Sequence, residues 1–189
     1  MEVFAYLSVL ISIILGLGIA HLLGAFIRLI HNRSRTMLYW PSLAWAVNLF
    51  VLMVLVWWSD FGLTRHTHWT FTMFIVSLLL PALLYLCAGL ILPSSDVHAN
   101  DQMARSYEEN RVWFFAFLSA AIWLSFVQSF LVDGYVKANV DTGLKLVSAL
   151  LSMVPIAIRN EYVQKAVVLI NLALLIFYIS LLFSTLPSN

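Results

Sequence analysis

Six stretches of this chain, residues 3–30, 37–58, 69–92, 112–132, 142–158 and 164–183, are each apolar over close to the length that an α-helix needs to cross a bilayer. A hydrocarbon core about 30 Å thick takes roughly 20 helical residues. Inside lipid a helix satisfies its backbone N–H and C=O groups internally, which an isolated strand cannot do. The expected fold is therefore all-α: a polytopic membrane protein in which residues 1–189 form one six-transmembrane-helix bundle with short loops. Composition agrees, with 62% hydrophobic and 10% charged residues and a mean hydropathy of +0.94, against roughly 45–50% and 25% in soluble domains. The first stretch follows Met1-Glu2 directly and lacks the basic n-region of a signal peptide, so it reads as a retained anchor. Lys145 and Pro155 shorten the clean apolar run of the fifth stretch, and a tilted, kinked or partly re-entrant segment is expected there.

Cationic residues in short connections set direction across a membrane. With the N-terminus outside, the inner connections hold Arg28, Arg33, Arg35, Arg105, Arg111, Arg159 and Lys165, and the outer ones hold only Arg65, Lys137 and Lys145. This bias predicts a multi-pass protein of a cell (inner) membrane, bacterial in type, with both termini outside. Trp57, Trp58 and Trp69 then fall at the outer boundary, and Trp40 and Trp113 at the inner one, as interfacial anchors do. The longest connection, 93–111, is polar and expected on the cytoplasmic side. A weak internal echo is present: Trp40 and Asp60 bracket the second span as Trp113 and Asp133 bracket the fourth, and each following span holds a proline, Pro81 and Pro155. Interfaces select tryptophan and aspartate at helix ends anyway, so duplication is not assumed.

Ser8, Ser12, Gly16, Ala20 and Gly24 recur at every fourth residue of the first span. A stripe of small side chains lets another backbone approach closely, and close packing is what associates helices in lipid. Packing against another helix of the same chain is the expected use; the same stripe on a second copy, or a partner membrane protein, is the alternative. His21 lies beside this stripe, close to mid-membrane. An ionisable group at that depth is expected to face the bundle interior or a wet cavity. Asn48 and Asn171 lie at similar depth, and Gln128 lies nearer the outside. Two readings follow. These groups simply pair with one another across helix interfaces, or they line a hydrated cavity where imidazole and carboxamides meet a solute.

Arg28 and Arg159 end spans at the predicted inner surface, where arginines ordinarily snorkel to headgroups. Together with Arg33 and Arg35 they also form a candidate site for an anionic headgroup. His66 and His68 alternate in an outer loop, as two metal ligands on an extended segment would; two histidines alone are weak evidence, and no metal is assigned. Haem between helices takes axial histidines, and only His21 is well inside a span, so haem binding needs a second copy to supply the other ligand. No cofactor is expected.

His-Glu-x-x-His, Gly-x-Ser-x-Gly and Gly-Lys-Ser/Thr signatures are absent, and no enzyme chemistry is inferred. Cys87 is the single cysteine, which excludes an internal disulfide. A net charge of +1 without a basic block gives no reason to expect nucleic acid. The leading expectation is a small membrane channel or transporter with a polar intramembrane site around His21, Asn48, Asn171 and Gln128. An accessory or sensor subunit docking another membrane protein through the small-residue stripe is the second, and a haem-binding redox protein the third.

Overall fold

A computed structural model of the protein describes residues 2–31, 38–60, 69–92, 102–135 and 139–185. Among these the chain is helical throughout, in six elements: α1 (Glu2–His31), α2 (Trp40–Asp60), α3 (Phe71–Ile91), α4 (Gln102–Asp133), α5 (Val140–Ala157) and α6 (Glu161–Thr185). All six are long and apolar enough to cross a membrane. The protein is an all-α, six-helix bundle of the multi-pass membrane type.

Local chemistry sets several of the helix ends. Thr70 starts α3 by accepting from the Met73 N–H at 3.3 Å, and Asn139 starts α5 by accepting from the Thr142 N–H at 2.9 Å. Each thereby answers one of the donors a helix start leaves free. Gly134 ends α4 with φ +77°, a left-handed conformation that glycine adopts without strain, while its N–H reaches the Phe130 carbonyl at 2.9 Å. Pro155 lies in the last turn of α5 rather than at its middle. The fifth span is accordingly a continuous helix of 18 residues, about 27 Å long at 1.5 Å per residue, and Pro155 marks its end.

Neighbouring contacts run α2 to α3, α3 to α4, α4 to α5, α5 to α6, and α6 back to α2, so five helices close a ring. α1 packs from outside against α3 and α2. Successive helices run antiparallel: Trp57, late in α2, donates to Ser12, early in α1, at 3.1 Å, and Ser42, early in α2, donates to the Ile91 carbonyl at the end of α3. The start of α1 and the end of α6 therefore lie at one end of the bundle, here the terminal end; the opposite one is the Arg111 end.

Two expectations change. α4 begins at Gln102, inside the stretch read as a polar connection. Its first turns carry charge pairs at helical spacing, Arg105 with Glu109 at 3.0 Å and Arg111 with Glu108 at 3.5 Å, which support a helix continuing past the apolar span. The small-residue stripe is not the internal packing face of α1. Ser12, Gly16 and Ala20 are exposed, and a Cβ added at Gly16 would meet nothing within 4 Å. Leu7, Ile11, Leu15, Leu22, Ala25 and Leu29 are buried instead. The close approach occurs at Gly18, where a Cβ would lie 2.7 Å from Met53 Cε and 3.7 Å from the Tyr85 Cα.

Candidate functional site

The ring encloses a cavity of about 470 Å³. Its walls are largely leucine and other aliphatic side chains from α2, α3, α4, α5 and α6, with a polar track running through them. Asn48 and Asn171 form the deepest part. Ser125 and Ser148 come next, then Gln128 and Ser129, and Asp60, Lys145 and Tyr178 stand toward the terminal end. Asp60 is the last residue of α2, so the track from Asn48 to Asp60 spans about 18 Å along the helix axis at 1.5 Å per residue.

Asn48 is 1% exposed, and neither Nδ2 nor Oδ1 has a hydrogen-bond partner; Asn171 is 8% exposed, and its Nδ2 has none. A carboxamide sealed among apolar groups without partners costs several kcal/mol. Both face the cavity, whose volume is far larger than the roughly 30 Å³ that one water occupies in the liquid. The cavity is therefore polar where it is deepest, although the unpartnered atoms themselves are closed to water in this conformation, so the carboxamides must turn toward the lumen before water or a solute answers them. Gln128 is tied to the wall, its Nε2 donating to Ser77 Oγ at 3.2 Å.

One or two turns beyond the asparagines, toward the Arg111 end, the same helix faces are packed shut. Trp45, Phe114 and Phe115 meet edge to face with centroids 5.0–5.6 Å apart. Leu118 lines the cavity and Phe114 and Phe115 lie one turn before it, so the plug continues the cavity's own axis. Cys87, Ala88, Ser152, Val167 and Val168 complete the packed layer. Contacts of this kind between aromatic rings favour one arrangement over sliding alternatives.

Below the plug lies a polar cluster. Arg111 is 6% exposed. Its Nη1 donates to the Pro155 carbonyl and, at 3.3 Å, to that of Ile158, satisfying acceptors that the C-terminal end of α5 leaves free. Glu108 draws the cluster together: Arg111 and Arg159 each reach its Oε2 at 3.5 Å, and buried Gln164 donates to its Oε1 at 2.9 Å. Reading from sequence took Arg111 only as an inner-surface charge and Arg159 as a candidate headgroup contact, and did not single out Glu108 or Gln164. The signal available was Glu108 and Arg111 at i,i+3 followed by a helix end rich in free carbonyls. Asp60 was likewise placed at the boundary but not in a site.

Of the four residues expected at a polar site, Asn48, Asn171 and Gln128 line one cavity and His21 does not. The reason is topological: α1 sits outside the ring and contributes no lining residue. His21 is part-buried, with Nε2 shielded and without a hydrogen-bond partner. Arg28 folds back along α1, its Nη1 3.6 Å from where a Gly24 Cβ would stand, and Arg159 pairs with Glu108. Arg33, Arg35, His66 and His68 lie outside the described residues, and among those described no group of three or more His, Cys, Asp and Glu is placed to hold a metal. The chain matches no family model, no curated protein and no solved structure.

Proposed function

We propose that this protein is a small membrane transporter whose solute site is the cavity within the five-helix ring. The observation that supports this reading is the pair of buried, unpartnered carboxamides of Asn48 and Asn171 at the end of the cavity farthest from Asp60. A protein that had nothing to bind there would gain stability from leucine at both positions. The aromatic plug favours a carrier with one end closed over an open channel. If the excess of Lys and Arg lies in the cytoplasm, the cavity opens outward. Purified protein in liposomes, challenged separately with urea, glycerol, guanidinium and acetate, tests the reading. At least one solute is expected to equilibrate faster than across protein-free vesicles, and Asn48→Leu is expected to abolish the acceleration. Indistinguishable rates for all four would refute it.

A second reading has its own observation. The exposed line of Ser12, Gly16 and Ala20 is the kind of surface on which another transmembrane helix packs closely. It assigns the chain to a complex, as an accessory subunit or as a homo-oligomer.

A further inference from the structure

Above the asparagines, the α4 side chains of the cavity present more acceptors than donors. Gln128 spends one N–H of its Nε2 on Ser77 and keeps its carbonyl oxygen free. Ser125 donates to the Ile122 carbonyl at 2.7 Å and Ser129 to the Ser125 carbonyl at 3.0 Å, so both hydroxyls spend their hydrogens on their own helix. What the two serines still offer is lone pairs, while Gln128 keeps its oxygen and one N–H. The free oxygen of Asn48 adds another acceptor at the deep end, beside the free N–H groups of the two asparagines.

Charge is lopsided in the same sense. Asp60 and Lys145 are the ionisable carboxylate and ammonium of the lining. Lys145 is already held by Asp141, its Nζ 2.8 Å from Oδ2, whereas Asp60 forms no ion pair among the described residues. A half-buried carboxylate without a counter-ion attracts a cation strongly, because little water screens it. An anion entering the same path would meet acceptor oxygens and, once Asp60 is ionised, an uncompensated negative charge.

Resting on the reading of the cavity as a solute site, we propose that its occupant is a slender organic cation bearing N–H donors, such as an alkylguanidinium. Asp60 holds the charged group, and the oxygens of Gln128, Ser125, Ser129 and Asn48 take its N–H groups as it descends. The leucine walls accommodate the apolar body. A cation without N–H groups would satisfy Asp60 but leave the acceptor track unanswered.

n-Butylguanidinium and n-butylurea have nearly the same shape and differ in charge and donor count. Calorimetric titration of each, and of butyrate, into the full-length protein in lipid nanodiscs separates the possibilities. The guanidinium is expected to bind at least about ten-fold more tightly than the urea, as charge-assisted hydrogen bonds exceed neutral ones. Butyrate is expected to show no saturable heat. Asp60→Asn should bring guanidinium affinity down to that of the urea, and Asp60→Glu should retain the preference. Equal affinities for guanidinium and urea, both lost in Asn48→Leu, would overturn the charge assignment and leave the cavity reading standing. A preference that survives Asp60→Asn would also overturn the assignment to Asp60. Absence of binding by all three compounds would overturn both.

Discussion

Replacing Asn48 by leucine should make the unliganded protein more stable while removing its solute site. Asn48 is 1% exposed and both polar atoms of its side chain lack partners. One unsatisfied buried group typically costs about 1–3 kcal/mol, and water in the adjoining cavity offsets part of that. Leucine has the same branched four-atom side chain, removes both polar atoms and turns its bulkier methyl groups to the aliphatic walls around Leu52 and Leu118, where the cavity gives them room. The balance is a gain of about 1–2 kcal/mol, since replacing an unpaired polar group by an apolar one of the same shape is neutral to stabilising. On the scale of chains this size that corresponds to a melting temperature higher by roughly 2–8 °C. Thermal unfolding followed by circular dichroism in one detergent, at matched protein concentration, measures it. A loss of more than about 1 kcal/mol would refute the reasoning, because it would mean that the carboxamide is answered by protein groups and holds the ring together.

Arg111→Met should destabilise the fold by about 2–3 kcal/mol: it frees the carbonyls at the end of α5 and removes one partner of a buried pair, discounted because Glu108 is 31% exposed and keeps Arg159. Detergent-unfolding midpoints check this, and Arg111→Lys should recover less than half, since an ammonium lacks the fork of donors. Gly18→Leu should cost about 1–3 kcal/mol by overpacking against Met53, whereas Gly16→Leu should be neutral or better in the isolated protein. If Gly16→Leu nevertheless breaks an oligomer or a co-purifying complex seen by size-exclusion chromatography, the second functional reading gains its support. Trp45→Ala removes the centre of the aromatic plug, and should both lower stability by about 3 kcal/mol and let small solutes leak through proteoliposomes that are tight with the unchanged protein.

How much of this was legible in the sequence differs by kind of information. Helix number and depth were readable, because spans have a fixed length and each residue advances about 1.5 Å along the axis. That is why Asn48 and Asn171, matched in depth, and Gln128, nearer the outside, were placed in the right order along what is one cavity. Rotation about the axis was not readable for α1. It is apolar nearly all round, so no periodicity distinguishes the face toward α2 and α3 from the face toward lipid, and neither His21 nor the small-residue stripe declares its side. Position in the ring was hidden too, because antiparallel neighbours leave open which helix is peripheral. The Arg111 cluster was overlooked because a charge near a span end is ordinarily a headgroup contact. Only tertiary packing brings Glu108 of α4, Gln164 of α6 and the end of α5 to it.

The account rests on a water-filled, one-ended cavity. Ser125 and Leu52 line it, whereas Ala46 is fully buried beside the plug, and Cys87 is buried as well. Cysteine introduced singly at 125, 52 and 46, in protein reconstituted with a defined orientation, can be probed with a membrane-impermeant thiol reagent applied from each side. The account predicts labelling at 125 and 52 only from the side of the terminal end, and no labelling at 46 or of Cys87 from either side. Failure of both lining positions to react, or equal reaction from the two sides, would contradict it.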